Sequence, residues 1–279
     1  MKIRKVGVVL RPKTEGIDKT FQEIKKIFED FDIEVLLEKK SASEVKETQS
    51  LELKELICRV DAMVSIGGDG TLLSLIRNLY GSMIPVFGIN IGNLGFLTST
   101  NPQEIHSFIS RLRSGEYVLE SHMILEANLQ SRRFFAINEF LIAQSGSHSG
   151  ILEIQALIKG KTFNTYRSDA LIIATPTGST AYNISAGGSI VYPLCRNILL
   201  TPVAAHTLTQ RPMVLNDSFV LEFRIKKSAV LVIDGQDKVP FEPRDTLMIK
   251  VAKESAILIQ DKNRDYFQVL REKFQWGQK

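Results

Sequence analysis

Across residues 1–115, two rhythms of apolar and polar positions alternate. Val6 to Leu10 is an unbroken apolar run with the length of a buried strand. Phe21, Ile24, Ile27, Phe28 and Phe31 then recur at three- and four-residue spacing, the stripe of an amphipathic helix. Ile33 to Leu37, Ala62 to Ile66 and Ile84 to Ile89 read as further strands. Leu51 to Cys58, Thr71 to Tyr80 and Gln103 to Leu112 read as helices, the last closed by Gly115. Such alternation implies a parallel sheet wrapped by helices. After Tyr117 the rhythm changes. Leu125 to Leu129, Phe134 to Ile142, Leu152 to Ile158, Ala170 to Thr175, Phe219 to Ile225, Val230 to Ile233, Leu247 to Val251 and Ala256 to Ile259 are short β runs, most of them separated by Gly, Asn, Asp and Pro. That is the pattern of an all-β second domain. Asp265 to Phe274 returns to helical spacing. The expected organisation is α/β followed by all-β: an α/β domain over residues 1–115, a β-rich domain over 116–260, and a helical tail over 261–279 placed to pack back on the first domain. No repeat, low-complexity segment or Pro/Gly/Ser-rich linker interrupts the chain, so the domains are expected to be closely joined.

Composition narrows the function classes. Of 279 residues, 44% are hydrophobic and 24% charged, ordinary for a globular chain with a sizeable core. Lys and Arg number 35 against 31 Asp and Glu, a formal net charge of +4. That excess suits an anionic ligand and falls short of a nucleic-acid footprint. The apolar run that starts at Val6 is cut off by Arg11, too short for a signal peptide, and no stretch reaches membrane-spanning length. The expectation is a cytoplasmic protein without membrane or nucleic-acid partners. On that expectation, the sequons at Asn183 and Asn216 are chance. Cys58 and Cys195 form no C-x-x-C unit and read as buried thiols rather than a disulfide framework or a zinc site.

Gly67-Gly68-Asp69-Gly70-Thr71 follows a strand and opens a helix. Glycines there let the backbone turn sharply and approach a ligand, and the helix start offers N–H groups and a positive dipole end to phosphate. Asp69 has two readings. It caps the helix, or it serves a ligand site, where a carboxylate that by itself repels phosphate either takes the proton from an attacking hydroxyl or has a divalent metal between itself and the phosphate. Its place at the carboxyl end of a strand in an α/β sheet favours the second. A general base typically contributes on the order of 10²–10⁴-fold. Neither a Walker loop nor a G-x-G-x-x-G fingerprint is present. Asn90 to Leu97 forms a second glycine-rich junction expected beside the first. Thr175 to Tyr182 gathers hydroxyls, a glycine and an aromatic that suit ribose, phosphate and base, or equally a Pro-Gly turn with capping hydroxyls. Ala186-Gly187-Gly188 allows another close approach. Asn138-Glu139 lies within an apolar β run, where one residue could be exposed and the other partnered. Arg167-Ser168-Asp169 reads equally as a surface ion pair.

Taken in order, these segments resemble the NAD kinase family: GGDG at Gly67 to Gly70, N-x-G-x-L-G-F at Asn90 to Phe96, the Asn138-Glu139 pair, R-S-D at Arg167 to Asp169, TPTGSTAY at Thr175 to Tyr182 and S-A-G-G at Ser185 to Gly188. His206-Thr207-Leu208 with Arg211-Pro212, and Asp234-Gly235-Gln236, look like further family segments. The likeness spans roughly residues 5–260. It implies an N-terminal Rossmann-like α/β domain, a C-terminal all-β domain and substrate held in a cleft between them. It also implies ATP-dependent phosphorylation of the adenosine ribose 2′-hydroxyl of NAD to give NADP. Asp69 would be the base, with Gly67, Gly68, Gly70 and Thr71 at the phosphates. Asn138 and Glu139 would bind the ribose and diphosphate region, and Asp169 the nicotinamide end. Thr180, Ala181, Tyr182 and Ser185 would form the adenosine segment, Arg167 would meet the new 2′-phosphate, and Gln236 would make one more contact. Mg²⁺ or another divalent cation would accompany ATP, and the chain would form a homodimer or homotetramer.

The chain departs from the family pattern at three positions. Ser74 stands where many members carry Lys or Arg, with Arg77 one turn on as the substitute phosphate clamp. Ala170 replaces a glycine, and Gly150 stands where His or Arg is common, with His148 nearby. His148, His106 and His122 are assigned no role. Two alternatives stay open: a lipid or diacylglycerol-type kinase, which shares GGDG, and a non-catalytic NAD(P)-binding regulator.

Overall fold

The computed structural model describes residues 2–45, 47–92, 95–145, 151–207 and 209–276. Gly150 and His148, Asn93 and Leu94 of the second glycine-rich junction, and Leu208 lie outside them. The chain divides into two compact units, residues 1–120 with 256–279, and residues 121–255.

In the first unit the elements run β1 (Lys5–Leu10), α1 (Ile17–Asp30), β2 (Glu34–Leu37), α2 (Lys39–Val45), α3 (Leu53–Leu56), β3 (Ala62–Gly67), α4 (Asp69–Asn78), β4 (Val86–Asn90), α5 (Ile105–Ser114) and β5 (Tyr117–His122). Val6, Val8 and Leu10 of β1 are buried, as are all residues of β3 and β4. Continuous burial is what a parallel strand covered on both faces requires. Ile17, Phe21, Ile24 and Phe28 form the buried stripe of α1, and Ile105, Phe108, Ile109 and Leu112 that of α5, which ends at Gly115 with φ 81°. The sheet order is β2-β1-β3-β4-β18-β5, where β18 (Ala256–Asp261) returns from the far end of the chain and pairs parallel to β4. The run Ala256 to Ile259 thus joins the first sheet and not the all-β unit, a long-range pairing that its place in the sequence does not register. Successive strands fall on opposite sides of β1, so the carboxyl ends of β1 and β3 flank the point where the winding reverses.

Among the described residues the second unit holds twelve strands in two six-stranded antiparallel sheets: β6 (Leu125–Leu129), β7 (Arg132–Ala136), β8 (Glu139–Gln144), β9 (Leu152–Ile158), β10 (Lys161–Ser168), β11 (Ala170–Ala174), β12 (Asn197–Val203), β13 (Met213–Asn216), β14 (Leu221–Ile225), β15 (Ala229–Ile233), β16 (Asp237–Phe241) and β17 (Leu247–Val251). One sheet is ordered β10-β9-β14-β17-β6-β7 and the other β13-β12-β11-β8-β15-β16. Alternate residues of both, among them Phe140, Leu171, Leu231, Phe223 and Ile249, fill one core between the sheets. β11 is buried on both faces. Leu171 and Ile173 face this core, while Ile172 and Ala174 pack with Leu199 under Ala186 and Val191. A 3₁₀ turn, Thr177–Thr180, and α6 (Tyr182–Ser185) follow β11.

The single β run expected over Phe134 to Ile142 is two strands, β7 in one sheet and β8 in the other, and the chain crosses at Ile137-Asn138. It crosses again between β10 and β11, at Asp169. The helix expected over Leu51 to Cys58 is shorter, α3 alone. Both cysteines are free and exposed rather than buried: Cys58 follows the short α3, and Cys195 lies in the loop before β12. After β18 comes α7 (Tyr266–Phe274), N-capped by the Asp265 carboxylate, which accepts the Phe267 N–H at 2.8 Å. Its Phe274 ring lies 5.8 Å from the Phe96 ring.

Phe223 is fully buried in the sandwich core. Phe223→Ala is expected to lower the unfolding free energy by about 3–5 kcal/mol, read as an earlier urea midpoint by circular dichroism. An unmoved midpoint would contradict the core as described.

Candidate functional site

The first cluster lies at the carboxyl edge of the α/β sheet. Gly68 precedes α4 in an extended conformation, and Asp69 is the first helical residue. Asp69 does not cap its own helix. Its carboxylate accepts three backbone N–H groups from a loop 27 to 29 residues on: Phe96 at 2.8 Å, Leu97 at 3.2 Å and Thr98 at 3.0 Å. The sequence explains why this grip is possible. A Cβ on Gly95 would overlap the Asp69 carboxylate and come within 2.6 Å of Thr98 Oγ1. A Cβ on Gly67 would run into Thr71 and come within 3.0 Å of Arg11 Cβ. Gly67 also accepts the Ile91 N–H at 2.9 Å, tying the two glycine-rich junctions together. Asn90 is buried, and its Oδ1 accepts the Gly92 N–H at 3.1 Å. Thr98 Oγ1 is buried without a partner among the described residues.

Two cations that sequence reasoning missed stand at this cluster. Arg11 directly follows β1, and its N–H donates to the Ile66 carbonyl at 2.9 Å. Arg264 donates from Nη2 to the Phe96 carbonyl at 2.6 Å, on the same loop that holds Asp69. Burial pushes the Arg264 pKa down, while the charges of Glu120 and Asp69 pull it up. Only its position after β18 could have pointed to it. Ser74 sits mid-way along α4, and Arg77 is in the last turn, about 12 Å along the axis from Asp69. A guanidinium there would have to run back toward the N-terminus, the direction in which helical side chains lean.

The second cluster lies at one edge of the β8-β11-β15 ladder, where β8 begins and β11 and β15 end. Asn138 and Glu139 occupy the crossing between the two sheets. Asp234, to which the sequence alone attached no role, reaches them with its carboxylate. It accepts N–H groups from Ile137 (3.2 Å), Asn138 (2.8 Å) and Glu139 (3.1 Å). Glu139 is 6% exposed, and its Oε2 has no partner among the described residues. Burial first, and the Asp234 charge second, push its carboxyl pKa up to about 8.

The Thr175 to Tyr182 segment separates into framework and surface. Thr175, Thr177 and Ser179 are buried. Thr177 Oγ1 lies 2.9 Å from Nδ1 of the buried His122, and Ser179 Oγ bonds the Val191 carbonyl and N–H, each at 3.0 Å. Asn183 is buried too, donating to the Ser179 and Ser189 carbonyls and accepting from Thr201 at 2.6 Å. Thr180 and Ala181 are half-buried, while Ser185 and Tyr182 are exposed, Tyr182 by 43%. Arg167 and Asp169 stand at the opposite end of β11 from Thr175, about 17 Å along the strand, and are exposed. Arg167 pairs with Glu153 at 3.3 Å, and Asp169 lies 3.6 Å from His206 Nε2. Gln236 is exposed in the turn between β15 and β16.

The chain thus carries an α/β unit with a glycine-lined carboxylate at its sheet edge and an antiparallel sandwich unit. The ATP-NAD kinase N-terminal domain model matches residues 6–117, and the ATP-NAD kinase C-terminal domain model matches residues 137–260. The NAD kinase of Helicobacter hepaticus is 47% identical, covering 99% of this chain and 97% of the relative. That of Wolinella succinogenes is 44% identical over 99% and 96%. Among solved structures, an NAD kinase from Archaeoglobus fulgidus in complex with ATP superposes with a TM-score of 0.77 at 26% identity, covering 97% of this chain and 98% of that one. Yeast NADH kinase complexed with NADH gives 0.88 at 23% identity, covering 100% and 89%, a likeness of fold. The chain belongs to the ATP-NAD kinase family. The lipid-kinase and regulator readings fall away with that result.

The folded chain favours a neutral Glu139, so this group supports folding fully below its ordinary value of 4.5, and the support is lost as pH rises to about 8. Glu139→Gln is therefore expected to flatten the pH dependence of stability. From about pH 5 to about pH 9 the wild-type melting temperature should fall further than the variant's. Parallel curves would show that Glu139 is not held neutral.

Proposed function

We propose that the chain transfers the γ-phosphoryl group of ATP to the adenosine ribose 2′-hydroxyl of NAD, giving ADP and NADP, with Asp69 as general base. The observation that carries this reading is the Asp69 carboxylate held by three backbone N–H groups at the glycine-lined sheet edge. An ionised carboxylate offers about four lone-pair directions. Three are occupied, and one is left for a hydroxyl proton. Asp69 takes the 2′-hydroxyl proton as the ribose oxygen bonds to the γ-phosphorus. The bond from that phosphorus to the β,γ-bridging oxygen breaks, and ADP leaves with the electron pair.

Gly67, Gly68, Gly70 and Thr71 serve the phosphates through close backbone approach and the start of α4. Arg11 and Arg264 add positive charge at the same edge. Asn138 and Glu139 take the ribose and diphosphate region, and Thr180, Ala181 and Ser185 flank the adenosine. The exposed Tyr182 ring suits stacking on a base. Arg167 has the planar fork that suits the new 2′-phosphate, Asp169 the nicotinamide end, and Gln236 a further contact. Arg77 is retained as the substitute for a cation at Ser74. Among the described residues no group of three or more His, Cys, Asp or Glu is placed to hold a metal. A divalent ion would enter with the triphosphate and would supply charge that neutralises its phosphates. Assembly as a homodimer or homotetramer is supported by Met213 and Val214, exposed on the edge strand β13. A cytoplasmic location is supported by two free, exposed thiols. Among the described residues no helix is long and apolar enough to cross a membrane.

The test is incubation with NAD, ATP and Mg²⁺, with the product coupled to an NADP-specific dehydrogenase. Wild-type chain should give a signal, and Asp69→Asn should keep nucleotide binding while losing about 10²–10⁴-fold in turnover. Unchanged turnover in the variant defeats the base role, and folded wild-type chain that yields no NADP defeats the activity.

A further inference from the structure

Residues 137–139 are where the chain leaves one sheet for the other, and a strand that changes sheets must find new partners for its backbone polar groups. Two residues supply all of them. Asp234 accepts the N–H groups of Ile137, Asn138 and Glu139 with its carboxylate, and its own N–H donates to the Glu139 carbonyl at 3.0 Å. Thr175 donates its hydroxyl to the Ile137 carbonyl at 2.5 Å and its N–H to the Asn138 carbonyl at 2.9 Å. Gly178 closes the corner from outside, since a Cβ there would come within 2.7 Å of Asn138 Cα. Asp234 is 7% exposed and adopts a left-handed φ of 46° at the start of the three-residue turn between β15 and β16. Aspartate tolerates that conformation better than most residues.

We infer that Asp234 is a positioning residue for NAD recognition, fastening the backbone under Asn138 and Glu139 so that both side chains are aimed before substrate arrives. The inference rests on the NAD kinase reading above. A buried carboxylate committed to three amides at 2.8–3.2 Å exceeds what a surface turn needs, and the residues it fixes are the two that reading assigns to the substrate. Its charge also acts on Glu139, whose pKa it helps to raise. Of the strands that flank β8, β11 carries no titratable side chain, and β15 carries none before Asp234; Asp237 opens β16 beyond the turn. Asp234 is therefore the neighbouring acid whose charge adds to burial in favouring the neutral, hydrogen-bond-donating form of Glu139.

The test is steady-state kinetics of Asp234→Asn in the full chain. Asparagine keeps the shape and tolerates the left-handed turn, but it loses the charge and one acceptor oxygen. Loss of charge-assisted hydrogen bonds is expected to raise the KM for NAD by about tenfold or more and to leave the KM for ATP unchanged. The midpoint of the pH dependence of NAD binding should move down, which simple loosening of the turn would not produce. An unchanged KM for NAD, a parallel rise in both KM values, or an unmoved midpoint overturns the inference. If the variant does not fold, hydrogen exchange of the wild-type chain decides. The amides of residues 137–139 should exchange slowly without NAD, and exchange at unprotected rates overturns the inference. Wild-type chain that forms no NADP takes down the substrate reading and the inference together. An active wild type matched by Asp234→Asn takes down the inference alone.

Discussion

Everything at the α/β edge depends on one carboxylate holding three amides that belong to a distant loop. Asp69 stands where β3 gives way to α4, and the N–H groups of Phe96, Leu97 and Thr98 converge on it. A charge-assisted hydrogen bond is worth about twice a neutral one, so the set fixes both the loop and the direction of the acid. Arg264 closes the same loop from behind through the Phe96 carbonyl, and the Phe274 ring packs against Phe96. The C-terminal return of the chain, β18 and α7, thereby becomes part of the floor on which the acid rests.

The all-β unit repeats the device with opposite emphasis. Asp234 also gathers three consecutive amides, and its charge acts on a second acid, Glu139. Burial makes the charged form of Glu139 costly, and the neighbouring Asp234 charge adds to that cost. The carboxyl of Glu139 is thereby held toward its neutral form. After β11, Ser179, Asn183 and Thr177 commit their polar groups to the backbone, to Thr201 and to His122, while Tyr182 and Ser185 are exposed.

Much of this was legible in the chain because it is local. The stripe of Phe21, Ile24 and Phe28 and the run from Val6 to Leu10 announce the α/β layer, and the punctuated β runs announce the sandwich. The glycines at 67, 68 and 95 mark close approach without saying to what. What stayed hidden is long-range. Nothing between Phe134 and Ile142 reveals that Asp234, nearly a hundred residues on, will break that run into two strands of different sheets. Ala256 to Ile259 is a short apolar run grouped by sequence with those of the second domain, yet it pairs beside β4. That Asp69 does not cap its own helix could not be read from the turn alone, because its partners lie 27 to 29 residues away. Arg11 and Arg264 carry no motif, and only the fold brings them to the loop.

The central claim is that turnover depends on how the amide loop aims Asp69, over and above the presence of a carboxylate. Gly95→Ala tests it most directly, because the added methyl group would occupy space held by that carboxylate while leaving every polar group in place. A displacement of about 1 Å can cost on the order of 10²-fold in rate. The predicted result is a kcat reduced on that order, with NAD affinity by calorimetry retained in a folded protein. A folded variant with wild-type kcat would contradict it.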